Sequence, residues 1–387
     1  MKTLRTVLFW MHLAAGAVAG IVILIMSVTG VALTYEKPLL EWADRRAWTP
    51  PLTDARPLPP ETLLARVQAA RPGAAPTGVT LRADRRASAT VMLEGNQSLL
   101  VDPFSGSIIG PPPNGLRAFF RTMTSWHRYL AREGTSRAMG KSITGGANLL
   151  FLFIVISGLY LWLPRVWNRV QLTRVLWFRR GVSSKARDFN WHHVIGIWSA
   201  VPLAIVVAGA VPISYPWASN LVYRLAGETP PAPAAAPART ETSGPVTYVV
   251  SGLDGAWSTA QSQIPGWRTM TTRLATSHGA PVVITIDEGY GGQPQKRTTI
   301  SFDRATGAAT KTDTFASLSP GRRARSWLRF AHTGEIYGLT GQTIAGLVSA
   351  GGAVLVYTGL ALALRRLAAW VGGQRREPVH EERPKAA

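Results

Sequence analysis

F9-W-M-H-L-A-A-G-A-V-A-G20 and F189-N-W-H-H-V-I-G-I-W-S-A200 are two versions of one pattern. With His12 set over His192, Phe9 falls on Phe189, Gly16 on Gly196 and, further along, Tyr35 on Tyr215. The next four-residue step is Gly20 in one copy and Ala200 in the other. Residues at i, i+4 and i+8 share one helix face. In each copy, therefore, an imidazole heads a stripe of small residues.

Both copies lie in apolar blocks. Four such blocks, about 7–35, 142–163, 191–217 and 338–364, contain no Asp, Glu, Lys or Arg. Each can cross the ~30 Å of bilayer hydrocarbon, which takes about 20 apolar residues. The first is too long for a cleaved signal peptide, and no A-x-A site follows it. The absence of cysteine excludes disulfides, cysteine-held iron–sulfur clusters and haem attached through C-x-x-C-H.

The net charge of +21 suggests nucleic acid, but its distribution points to a lipid bilayer. The loop 164–190 carries seven Lys/Arg against one acid, and the tail 365–387 six against three. Short basic segments beside membrane helices mark the cytoplasmic side. Both termini are then cytoplasmic, and the long segments 36–140 and 218–337 face a bacterial periplasm.

Those segments also match each other. E61-T-L-L-A-R-V-Q-A-A-R-P-G73 and L253-D-G-A-W-S-T-A-Q-S-Q-I-P-G266 read as amphipathic helices, with strand-like runs after them such as Pro281–Asp287. S98-L-L-V-D-P-F-S-G-S-I-I-G110 and T299-I-S-F-D-R-A-T-G-A-A309 read as hairpins turning on D-x-x-[S/T]-G. A lone histidine comes next, in W126-H127-R128-Y129-L130 and F330-A-H332-T-G. The closing helices carry S157-G-L-Y-L-W-L-P-R165 and T358-G-L-A-L-A-L-R365. The predicted fold is a membrane α-helical protein with four transmembrane helices in two parallel repeats. Each repeat has its own periplasmic α+β domain, and a pseudo-twofold axis runs along the membrane normal. The order is helix 7–35, domain 36–140, helix 141–163, basic loop 164–190, helix 191–217, domain 218–337, helix 338–364 and tail 365–387. Residues 226–239 form a Pro/Ala-rich linker without assigned chemistry.

Ionisable groups within a membrane are costly and tend to be functional. Here they are histidines. His12 and His192 lie near the cytoplasmic ends of helices one and three, and His127 and His332 on the periplasmic side before helices two and four. Two symmetric pairs of imidazoles, one at each face, suit two b-type haems with bis-histidine ligation. Gly16, Gly20, Gly196 and Ala200 would leave room for the porphyrin. His193 competes with His192 but lies about 100° round the helix, and the repeat register favours His192. Arg121, Arg128, Arg132 and Arg329 would neutralise propionates or an anionic substrate. Trp126 and Trp327 read as interface residues, and His278 and His380 as solvent-exposed.

The paired H-x-x-x-G helices, the hairpins, the W-H-R-Y-L element and the S-G-L-Y-L-W-L-P-R helix end together resemble the PepSY-associated transmembrane-helix proteins, the iron-regulated inner-membrane proteins of Gram-negative bacteria. The resemblance covers nearly the whole chain, and length and layout are closest to the ferrioxamine-type siderophore reductase branch. It implies PepSY-like periplasmic domains, haem ligands at His12, His127, His192 and His332, and electron transfer to a periplasmic ferric siderophore. Arg304, where the first hairpin has Pro103, departs from the family pattern and weakens the domain match there.

The reaction so implied is reduction of Fe³⁺ held by hard oxygen donors, with release of the more weakly held Fe²⁺. No G-x-G-x-x-G follows a strand, which leaves a quinol or a cytoplasmic reductase as electron donor. The rival readings are a siderophore or metal transporter and a non-redox module whose periplasmic domains bind a peptidase.

Overall fold

The structure, a computed structural model, describes residues 2–50, 55–163, 168–232 and 247–374. In chain order the elements are α1 (Lys2–Leu33), α2 (Glu36–Arg46), α3 (Pro60–Ala70), β1 (Pro76–Arg82), β2 (Ala89–Leu93), β3 (Ser98–Val101) and β4 (Ile108–Gly110). There follow α4 (Asn114–Tyr129), α5 (Arg137–Trp162), α6 (Arg169–Leu176), α7 (Ser184–Ser214), α8 (Pro216–Leu225) and α9 (Leu253–Gln263). The last are β5 (Thr269–Arg273), β6 (Val282–Asp287), β7 (Arg297–Phe302), β8 (Ala309–Thr314), α10 (Pro320–His332) and α11 (Gly338–Gln374). Part of the Pro/Ala-rich linker (233–239) and His380 fall outside the described residues, as does the end of the basic tail.

The chain divides into two units. The first comprises residues 1–31, 124–211 and 344–387, and the second residues 32–123 and 212–343. Among the described residues, four helical stretches are long and apolar enough to cross a membrane: Thr3–Leu33, Gly134–Trp162, Ser184–Ser214 and Glu335–Val371. The helices outrun the apolar blocks because backbone hydrogen bonding continues into the headgroup layer, where charged ends are tolerated. There Arg5 donates to the carbonyls of Leu161 (2.5 Å) and Leu163 (3.0 Å) and so satisfies the orphan acceptors that end α5. Asp188, which the sequence reading left in the basic loop, lies inside α7. It is 1% exposed and pairs with Arg365 of α11 at 2.8 Å and with Arg187 at 2.9 Å.

Within the first unit, contact is made through small apolar clusters. One joins Ala19 and Ile23 to Ala147, and another joins Leu203 and Val207 to Val348. Lipid is as apolar as leucine, so close packing and internal hydrogen bonds must hold such helices together. Asn148 supplies one such bond, donating to the carbonyl of Val207 at 3.1 Å. Glycines supply close approach; Gly352 lies against Ser27 and Phe151, and Gly351 against Ile195. Large apolar side chains such as Val18, Ile21, Val201 and Leu347 point outward, as a lipid-facing surface requires.

The second unit holds one eight-stranded antiparallel sheet in the order β4-β3-β2-β1-β5-β6-β7-β8. Residues 36–140 and 218–337, read from sequence as separate domains, each contribute four strands to it. The seam is β1 against β5, with Val79 opposite Thr272 and Thr80 opposite Thr271. Either strand alone would leave an open edge of unpaired amides and carbonyls, and pairing removes both edges. One sheet face is apolar, with Val79, Val91, Met270, Ile284, Ile286 and Ile300 almost fully buried. Leu63, Leu64 and Val67 of α3 and Leu253, Ala256 and Trp257 of α9 cover it. The opposite face carries a polar row, Thr90, Thr80, Thr271, Thr285 and Thr299, aligned across five strands.

Both hairpins turn as their motif predicts. Asp102 accepts from the amide of Phe104 and the hydroxyl of Ser105, and Asp303 from the amides of Ala305 and Thr306. Gly106 (φ +73°) and Gly307 (φ +66°) take the left-handed position. Arg304 does not disturb this geometry. Its guanidinium reaches outward to the carbonyls of Val249, Ser251 and Ala280 and clamps the loops before α9 and β6 to the hairpin.

Candidate functional site

In the first unit three histidines are seated in the same way. His12 of α1 has Nδ1 2.9 Å from Ser157 Oγ of α5, and His192 of α7 has Nδ1 2.9 Å from Thr358 Oγ1 of α11. Each hydroxyl already donates to its own helix, Ser157 to the carbonyl of Ile154 (3.2 Å) and Thr358 to those of Val354 (2.8 Å) and Leu355 (3.2 Å). The hydroxyl proton is thus committed, and the imidazole Nδ1–H donates to the oxygen lone pair. The next residue in each helix is glycine. A Cβ on Gly158 would sit 3.2 Å from His12 Cε1, and one on Gly359 3.3 Å from His192 Cε1. The ring therefore rests on glycine while the preceding hydroxyl holds its Nδ1.

His127, near the end of α4, repeats the device on α1. Its Nδ1 lies 3.0 Å from the carbonyl of Met26 and 3.0 Å from Thr29 Oγ1. A carbonyl only accepts, so Nδ1 again carries the proton. Thr29 donates to Ile25 at 2.6 Å, and a Cβ on Gly30 would meet His127 Cε1 at 3.5 Å. T29-G30, S157-G158 and T358-G359 are one seat built three times. In all three Nδ1 donates, which leaves the lone pair on Nε2. A second-sphere hydrogen bond of this kind fixes tautomer and ring orientation for metal ligation.

His193 has a different setting. Its Nδ1 donates to the carbonyl of Phe189 one turn back in its own helix (3.0 Å), and its ring lies 4.2 Å from that of Phe189. Only His192 of the pair is held by another helix. The stripe of small residues is more varied than the sequence suggests. Gly16 faces open space, whereas Gly20 has Leu360 against it and Gly196 has Leu355, so these two serve helix packing with α11.

His332 belongs to the second unit, where it is the partly buried last residue of α10. The adjacent Thr333 donates to Glu335 at 2.9 Å. The arginines assigned to an anionic group, Arg121, Arg128, Arg132 and Arg329, are all exposed. Arg121 donates to Asn114, Arg128 lies over the ring of Tyr129, and Arg329 over that of Phe330. His278 is exposed as well.

These donors fit an iron porphyrin. They are imidazoles presenting Nε2, two of them, His12 and His192, borne by apolar membrane-length helices and the third, His127, by the amphipathic α4. No cluster of three or more His, Asp or Glu, such as a bare cation would need, occurs among the described residues.

A family model described as the PepSY-associated TM region matches residues 9–366. No curated protein matches the chain.

Proposed function

Because the chain belongs to the PepSY-associated TM-region family, we propose that this multi-pass membrane protein is a di-haem reductase of the bacterial inner membrane that reduces ferric siderophore in the periplasm and releases Fe²⁺. The observation that carries the proposal is the [S/T]-G seat, made three times for three histidines on different helices.

His12 and His192 are assigned to one haem. By the sequence match between the two halves, His127 and His332 are assigned to the other. Bound there, haem supplies reversible one-electron chemistry that no side chain offers. The residues of the chain do the rest. Ser157, Thr358 and Thr29 hold each imidazole in the ligating tautomer, and Gly158, Gly359 and Gly30 let the ring lie flat on its neighbour helix. The apolar helices exclude water and lower the local dielectric. The twice-occurring order of helix, four strands and helix in residues 60–129 and 253–332 supports two parallel repeats. Lys2, Arg5 and the basic segments 164–190 and 365–387 support cytoplasmic termini. One electron from a quinol or a cytoplasmic reductase reduces each siderophore-held Fe³⁺ to Fe²⁺.

The test is the absorption spectrum of the purified full-length protein. A reducible Soret and α band with two haems per chain is expected. Single replacement of His12, His127, His192 or His332 by Ala should each remove one. A colourless, folded protein would overturn the proposal and leave a transporter or a peptidase-binding module.

A further inference from the structure

The polar face of the sheet holds a cavity of about 600 Å³ at the seam between the two sets of strands. Four arginines line it: Arg45 of α2, Arg82 of β1, Arg268 just before β5 and Arg297 of β7. The floor is part of the threonine row, Thr271 and Thr285, with Thr269 beside them. Cross-strand register makes this cluster. Arg82 pairs with Thr269, Thr269 with Asp287, and Asp287 with Arg297, so one rung brings together residues from 82 to 297.

Two of the three lining carboxylates already have cationic partners. Asp84 pairs with Arg45 at 3.1 Å, and Asp287 lies 3.5 Å from Arg297. Glu41 is the third. Among the described residues, neither Arg82 nor Arg268 pairs with a carboxylate. Arg82 donates to the carbonyl of Ser88 and to Thr90, and Arg268 is held over the ring of Tyr290 at 4.3 Å. Arg297 Nε is buried without a hydrogen-bond partner, and Asp287 Oδ2 has only the long 3.5 Å ionic contact with Arg297. Buried polar groups are nearly always satisfied, so an unpaired guanidinium N–H beside the cavity calls for an acceptor.

We propose that this cavity binds a small polycarboxylate anion, with Arg82 and Arg268 as its principal cationic contacts and the threonine hydroxyls as neutral donors. Guanidinium forks match the planar, two-oxygen geometry of carboxylates. The volume suits a compact ligand rather than a peptide chain.

The roof ties the cavity to the proposed chemistry. Gly289, Tyr290 and Gly291 line it. The Gly291 carbonyl accepts from Lys37 (3.1 Å) and from Arg297 (2.8 Å), and Lys37 pairs with Glu335 at 2.6 Å. Gln295 donates to the carbonyl of Ile336 at 2.9 Å. The roof loop is thus anchored to the segment that directly follows His332. If the chain is the reductase proposed above, on which this step rests, its iron substrate is a carboxylate-bearing chelate docked in this cavity, whose roof is tied to the segment after His332.

Citrate is the probe, titrated calorimetrically into the full-length protein at constant ionic strength. Saturable binding is expected. Arg82→Gln and Arg268→Gln should each weaken it about tenfold or more, the usual scale for losing a charge-assisted hydrogen bond. Lys311→Gln, on β8 away from the cavity, should leave it unchanged. Arg268→Lys, which keeps the charge but not the fork, should recover only part of the loss. Melting curves check that each variant is folded. Absence of saturable citrate binding, or binding indifferent to both arginine changes, would overturn the site. A chain without a Soret band that binds citrate sinks the reductase reading alone. A haem-bearing chain that ignores citrate sinks the site alone.

Discussion

Thr358→Val is the sharpest single perturbation of the histidine seats. The substitution is nearly isosteric, and Thr358 is fully buried, so packing changes little while the hydroxyl disappears. His192 Nδ1–H then loses its acceptor at 2.9 Å in a setting without water to replace it. Leaving a buried donor unsatisfied costs about 1–3 kcal/mol. At 1.4 kcal/mol per decade this loosens the seated ring by roughly 5- to 150-fold, in line with the ~10–100-fold usually lost when an outer-sphere partner of a metal ligand is removed. The assay is haem transfer from the purified variant to an excess of apomyoglobin, followed optically. One of the two haems should leave that much faster. Thr358→Ser keeps the hydroxyl and gives up only a methyl, and should behave as the parent. Ser157→Ala should do at His12 what Thr358→Val does at His192. ¹⁵N NMR of labelled histidine reads the tautomer directly, without haem. Unchanged haem release from the valine variant, or an Nε2-protonated ring in the parent, would refute the reasoning.

The glycine half of the seat has its own test. Gly158→Ala and Gly359→Ala place a methyl 3.2 and 3.3 Å from a ring carbon, whereas Gly30→Ala places one at an ordinary 3.5 Å; the first two should displace an imidazole and shift the haem spectrum, and the third should leave it unchanged. In the sheet, Ile284→Ala empties a fully buried position and should cost about 2–5 kcal/mol, read as a lower melting temperature, while Val283→Ala on the other face, where the side chain is 39% exposed, should stay within about 0.5 kcal/mol. Glu228 is held below its ordinary 4.5 by the amide of Gly321 and the hydroxyl of Ser319. Its stabilising contribution is full above pH 4.5 and fades as pH falls through the depressed value, so the gap in melting temperature to Glu228→Gln should narrow in acid; a gap independent of pH would count against the pairing.

The sequence showed the four helices plainly because hydropathy is a local property. It blurred their ends, since helical hydrogen bonding outlasts the apolar run at both Lys2 and Gln374. S157-G and T358-G stood out as matched helix ends, but their role did not. A hydroxyl followed by glycine is ordinary in a membrane helix until a histidine from a distant segment is placed on it. T29-G30 was missed for that reason; its histidine lies 98 positions away. Pro281–Asp287 read as strand-like from sequence, yet only cross-strand register brings Arg82, Asp287 and Arg297 to one rung. Arg304 looked like a departure because a turn motif says nothing about what its exposed positions reach.

The β1–β5 seam bears on the ancestry of the chain. Val79 stands six places beyond Gly73, and Thr272 six places beyond Gly266, each glycine closing a P-G turn, and the two residues face each other. Gly78 opposite Arg273 and Thr80 opposite Thr271 are mirror-related about that point. This is the isologous contact of a homodimer, in which one patch meets its own copy. A progenitor with a single set of strands could have closed the same sheet by self-association before gene fusion joined the partners. An isolated half released today would present a bare β1 edge and should pair with its twin.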